Sequence, residues 1–149
     1  MKTLSILLLL LAAQLFTVGV ALAADGSPRD ISFDDIKLDL KKGEAYQQSK
    51  LTPVVKKLDG KPIRIRGYIY PSFQQKGLKQ FVLVRDNLEC CFGPKAALHD
   101  CILVEMAEGA ATSYTVVPVS VEGKFSVREL AGPDGNVLAI YHLDGKEVK

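Results

Sequence analysis

Lys61-Pro62-Ile63-Arg64-Ile65-Arg66-Gly67-Tyr68-Ile69-Tyr70 is the stretch on which the fold turns. Ile63, Ile65 and Ile69 alternate with Arg64, Arg66, Tyr68 and Tyr70, and a period of two lets an extended strand bury one face and wet the other. Gly67 interrupts the apolar row and marks a bulge or coil within the strand. Downstream the chain keeps to strand-like segments. Residues 80–85 are apolar on both faces, residues 101–106 make a third strand, and residues 114–129 make a fourth, kinked or begun afresh at Pro118 and again at Gly123. Asp134-Gly135 supplies the turn before a fifth strand over residues 137–143.

Upstream the pattern turns helical. Ser32 can cap a helix with Asp35 reaching back to it, and Ile31 and Ile36 are spaced as a hydrophobic staple, so a helix is expected over residues 32–43. Thr52-Pro53 opens a second short helix that ends at Asp59-Gly60, because proline at the first helical position gives up an N–H that would lack a partner anyway. Two short helical pieces followed by five strands predict a mainly β fold. The expectation is an OB-like five-stranded small barrel forming one domain over residues 31–149, with an open antiparallel sheet packed by the N-terminal helices as the alternative.

The first 23 residues have the parts of a secretory signal: cationic Lys2, an apolar run over residues 4–20, and small Ala21 and Ala23 at the cleavage positions. Cleavage after Ala23 and a disordered polar leader over residues 24–30 are expected, which places the mature protein in the periplasm or outside the cell. Contact with the membrane would come only through an uncleaved signal. Loss of residues 1–23 leaves 126 residues with 18 basic and 17 acidic side chains, a balance that argues against an electrostatic nucleic-acid binder.

Residues 86–101 concentrate the chemistry, with all three cysteines and one of the two histidines. If the second and third strands pair antiparallel, Cys90 or Cys91 lies near Cys101 after a loop of nine or ten residues, close enough for a disulfide. Bonding Cys90 to Cys91 would strain the ring that it closes. A staple from Cys101 to either neighbour would contribute about 2–3 kcal/mol through chain entropy. A metal site is the alternative: thiolates from Cys90, Cys91 and Cys101 with the imidazole of His99 are a donor set for Zn²⁺ or Cu⁺. His99 and Cys101 would point to one side if the strand already runs there. An activated thiol with His99 as base is a third reading, though Cys90-Cys91 lacks the spacing of thiol oxidoreductases.

Arg64, Arg66, Tyr68 and Tyr70 share one strand face that could clamp and stack on a polyanion, or serve as a solvated outer face with arginine stems over apolar neighbours. Near-neutral charge and export favour the solvated face. His142 reads as a surface or packed histidine, and Asp34, Asp35 and Asp39 as helix-start and helix-face acids. The phosphate-binding, zinc-protease, serine-hydrolase and EF-hand patterns do not occur, which weighs against a conventional hydrolase.

Asp59-Gly60-Lys61, the Gly67-Tyr68-Ile69-Tyr70-Pro71 turn, the Gln80-Phe81-Val82-Leu83-Val84-Arg85 strand leading to the cysteines, and the run from Ile102 resemble a bacterial family known as domain of unknown function 3299. The likeness spans roughly residues 31–145. It implies an exported or lipid-anchored small protein associated with export or metal-related transport components. Many members carry one cysteine followed by a histidine and prolines, where this chain has Cys90-Cys91-Phe92-Gly93-Pro94, so Cys90 or Cys91 is the corresponding position. The chain is expected to be an exported accessory or binding protein without enzymatic activity, acting on an extracytoplasmic protein partner or transport component. The alternative is an extracytoplasmic Zn/Cu-binding or metal-trafficking protein.

Overall fold

The structure, a computed structural model, describes residues 26–40, 44–87, 97–133, 135 and 137–149. The described residues are mainly β, with six strands in one mixed sheet and one α-helix described in full. The strands are β1 (Arg29–Ile31), β2 (Pro62–Ile69), β3 (Gln80–Val84), β4 (Cys101–Met106), β5 (Val119–Ala131) and β6 (Val137–Val148); the helix is α1 (Pro53–Leu58). Single 3₁₀ turns occupy Gln48–Lys50 and Leu98–Asp100. The expected signal-peptide cleavage site, Cys90, Cys91 and Asp134 lie outside the described residues.

Antiparallel ladders join β2 to β3 and β3 to β4, a parallel ladder joins β4 to β6, and an antiparallel ladder joins β6 to β5. β5 then pairs antiparallel with β2 from Gly67↔Val119 to Pro62↔Lys124, so the chain of ladders returns to the strand where it began. The alternation read from the sequence holds along β2, whereas Ala139 to Leu143 of β6 are buried without a break. Ile63, Ile65, Leu83, Ile102, Val121 and Leu143 are all 0–1% exposed. Each such side chain stabilises the fold by about 1.5–3 kcal/mol relative to its exposed state.

Two expectations fail at the N-terminal end. Five strands were expected and six are present among the described residues, because Arg29–Ile31, placed in or beside a disordered leader, pairs parallel with Ile63–Ile65 of β2. β5 already holds one edge of β2 over these residues, so β1 takes the other, which β3 leaves open by pairing only at Tyr68 and Ile69.

The helix expected over residues 32–43 is a single turn. Its cap is real: the Ser32 backbone N–H and hydroxyl donate to Asp35 Oδ2 at 2.7 and 2.8 Å. These bonds, the backbone one foremost, hold the Asp35 carboxyl below its usual pKa. The turn then stops because Phe33, Ile36 and Leu38 are all buried. Ile36 and Leu38, two apart, share a face only in extended chain. Residues 41–43 lie outside the described residues.

α1 forms as its sequence suggests. Thr52 Oγ1 accepts from Val55 N at 3.3 Å, Pro53 sits in the first turn, and Val55 and Leu58 face the core. At its end Gly60 N donates to Phe125 O at 2.8 Å and Val127 N donates to Asp59 Oδ1 at 3.0 Å, fastening the helix to β5.

Gly67 is not at a bulge, since the β2–β5 register runs through it. A Cβ there would lie 2.6 Å from the Val84 carbonyl oxygen and 3.0 Å from the Phe33 ring, so close backbone approach is what requires glycine. The irregularity anticipated at Gly123 is present, as a register shift between Glu122 and Gly123 opposite β6.

Candidate functional site

The most concentrated chemistry among the described residues lies on the outer face of β4, β5 and β6. The parallel ladder sets Leu103 opposite His142 and Glu105 opposite Asp144. Alternation along each strand then turns Glu105, His142 and Asp144 to the same side. His142 Nε2 is 2.9 Å from Glu105 Oε2, and its Nδ1 is 3.4 Å from Asp144 Oδ1. The His142 side chain is 3% exposed, whereas those of Glu105 and Asp144 are 46% and 61% exposed. Gln80 Nε2 donates to Glu105 Oε1 at 3.0 Å, fixing the carboxylate so that its other oxygen faces the imidazole. Arg128 Nη2 approaches that same oxygen at 3.6 Å. Buried His142 Nδ1 makes no hydrogen bond.

Sequence reasoning treated His142 as a packed or surface residue. The structure makes it a buried imidazole between two carboxylates. The His142-x-Asp144 spacing on a strand was a readable signal for half of this cluster. Glu105 joins it only through the parallel register of β4 and β6, which pattern alone does not give.

The anticipated site at the cysteine loop is described at its base. Cys101 opens β4 with Sγ 3.6 Å from Leu98 O and 3.8 Å from Ala97 O. His99 sits on the preceding 3₁₀ turn, so it does not share a strand face with Cys101 as expected. It is 6% exposed, its Nε2 is 3.8 Å from Asp100 Oδ2, and its buried Nδ1 makes no hydrogen bond. Burial pushes its pKa below the usual histidine value, against the opposing pull of Asp100 and with help from Lys37 and Arg85. Arg85 ties the region together, reaching Asp34 Oδ1 at 2.7 Å and Asp100 Oδ1 at 3.5 Å, while its backbone N donates to Asp100 O at 3.0 Å. Cys90 and Cys91, and any bond they make, fall outside the described residues.

On the basic and aromatic face of β2 the charge of Arg64 is engaged. Arg64 Nε and Nη2 both lie 2.7 Å from Glu122 Oε1, and Nη1 lies 3.0 Å from Asp30 Oδ1. The Arg64 hydrogen bond holds the Glu122 carboxyl below its usual pKa, with Lys149 assisting at 3.3 Å. A polyanion binding at Arg64 would have to displace these carboxylates. Arg66 and Tyr70 are exposed and Tyr68 is half-buried, which fits a solvated outer face.

One end of the sheet carries a different feature. Phe73 is 110% exposed, Val116 70%, Val117 59% and Tyr70 44%, all on the segments that follow β2 and precede β5. These two segments are joined by a pair of backbone bonds between Leu78 and Thr112, at 2.8 and 3.0 Å, and by Tyr114 N donating to Gln75 O at 2.9 Å. The Phe73 loop is braced from within. Ser72 Oγ donates to Gln74 O, Gln74 Nε2 donates to Lys76 O and Gly77 O, and Gln75 Nε2 donates to Ser72 O, all between 2.8 and 3.0 Å. Phe73 is therefore held out from a loop with defined internal bonding.

A family model described as "Protein of unknown function (DUF3299)" matches residues 24–149, and the chain belongs to that family. Among solved structures it is similar to a DUF3299 family protein from Pseudomonas aeruginosa PAO1, with a TM-score of 0.61 and 22% sequence identity, over 83% of this chain and 96% of that one. At that identity the likeness speaks to the fold alone. No curated protein matches the chain.

Proposed function

We propose that this DUF3299 member is an exported, non-enzymatic accessory protein that binds a partner protein through the end of the sheet bearing Phe73, Val116 and Val117. The observation that carries the reading is the grouping of these fully or largely exposed apolar side chains on two hydrogen-bonded loops. Water contact at such side chains is unfavourable, and exposed apolar side chains on two joined, braced loops suit a protein interface. Pre-ordering of the Phe73 loop lowers the entropy lost on docking.

Two further elements belong to the proposal. The ring of ladders, with its one parallel pair between β4 and β6 and its return from β5 to β2, supports an OB-type barrel as the scaffold. The signal-like start supports export. An oxidising compartment in turn favours a bond from Cys101 to Cys90 or Cys91.

The test is light-activated crosslinking in the native cell, with the reactive residue at Phe73 or Val116 of the full chain and at exposed Lys146 as control. A discrete heavier species from the first two sites, absent from Lys146, is the expected result. Equal crosslinking from all three, or none from Phe73 and Val116, would overturn the reading.

A further inference from the structure

We propose that Glu105, His142 and Asp144 form a binding site for one divalent cation of the Zn²⁺ class, distinct from the cysteine loop. Cys101 stands four residues before Glu105 on β4, a separation of about 13 Å along an extended strand.

The argument begins with the imidazole. If Nε2 carries the proton and donates to Glu105, the buried, unprotonated Nδ1 lies 3.4 Å from the Asp144 carboxylate with no hydrogen bond, and two electron-rich groups stand side by side. The arrangement calls for a positive charge among the three side chains. A proton on His142 would supply one. A metal ion would supply more, and it would give the orphaned Nδ1 a partner.

The spacing suits an ion. One donor atom from each side chain lies within 4.8 Å of the other two. Ligands bonded at about 2.1 Å to a common ion sit about 2.9–3.4 Å apart; the 3.4 Å separation of Asp144 from Nδ1 already matches, whereas Glu105 faces the other ring nitrogen, so an ion on Nδ1 requires the exposed Glu105 carboxylate to rotate towards it. One nitrogen and two carboxylate oxygens are donors that Zn²⁺ accepts, with water completing the shell. The Gln80 amide on Glu105 Oε1 is the kind of outer hydrogen bond that orients a ligating carboxylate. Arg128, 61% exposed and 3.6 Å from Glu105, occupies the mouth and swings aside when the ion enters.

Calorimetric titration of the chelator-stripped mature chain with Zn²⁺ at neutral pH, paired with native mass spectrometry, tests the site. One ion per chain is expected, with affinity falling about tenfold or more in both Asp144→Asn and Glu105→Gln. These two replace exposed side chains, and circular dichroism checks that each remains folded; His142→Ala is avoided because the ring is buried. Absence of a stoichiometric ion in the parent chain, or binding undiminished in both variants, would overturn the proposal. So would a His142 ring whose ¹⁵N shifts show both nitrogens protonated and unmoved by Zn²⁺, since the proton alone would then supply the charge.

Discussion

Tyr141 anchors the N-terminal segment from inside the sheet. Its hydroxyl donates to the Ile36 carbonyl at 2.7 Å, its ring packs at 5.2 Å from that of Phe125, and burial raises its pKa far above the ordinary tyrosine value, so it remains a donor at every physiological pH. Tyr141→Phe keeps the packing and strands the carbonyl, and urea unfolding is expected to show a loss of about 1–3 kcal/mol. His99 acts in the opposite electrostatic sense. Its folded pKa lies below the ordinary 6.5, so the unfolded chain takes up the proton first as the medium acidifies. The stability linked to His99 is complete above about pH 6.5 and declines as pH falls towards the folded value. His99→Gln should flatten that part of the stability profile, and equal acid sensitivity in variant and parent would contradict the assignment. Sequence reading singled out His99 and passed over His142, because nearby cysteines draw attention to the first while only strand register gives the second its carboxylates.

At the scale of elements, Gly67 shows how little space separates β2 from β3. Gly67→Ala would press a methyl group against the Val84 carbonyl oxygen and the Phe33 ring, and backbone on one side leaves little room to yield. A loss of about 1–3 kcal/mol is expected from thermal or urea unfolding, and a variant as stable as the parent would show that the two strands can separate at low cost. The strands themselves were legible: β2 lies where alternation placed it, β4 spans the expected residues 101–106, and β5 begins after Pro118 with its irregularity at Gly123. β1 was not legible, because three residues are too few to display a period and its parallel pairing is a property of the edge that β3 leaves free. The helix over residues 32–43 was misread for a related reason. Ser32 and Asp35 form the cap, but a cap fixes only one turn, and burial of both Ile36 and Leu38 pulls the next residues into extended chain.

For the whole molecule, the ladders gather most of the core on the inner face, with Ile140 and His142 also buried on the other side of β6, and leave the exposed positions and the loop ends for function. The alternating apolar positions made that core readable from the sequence. The candidate interface was not, since Phe73, Val116 and Val117 are apolar residues in segments without a period, and only their exposure together distinguishes them from core. Mass spectrometry of the non-reduced mature chain is expected to show a mass two hydrogens below that of the fully reduced form, with Cys101 linked to Cys90 or Cys91; three unmodified thiols would remove the staple from the account. The most direct test of the partner-binding claim separates function from stability. In a Phe73→Ser, Val116→Ser double variant, the unfolding midpoint should stay within about 2 °C of the parent, because neither side chain is part of the core. The same variant should lose the adduct formed by a photoreactive residue at Val117. An adduct that persists at full strength, or a chain that no longer folds, would contradict the claim.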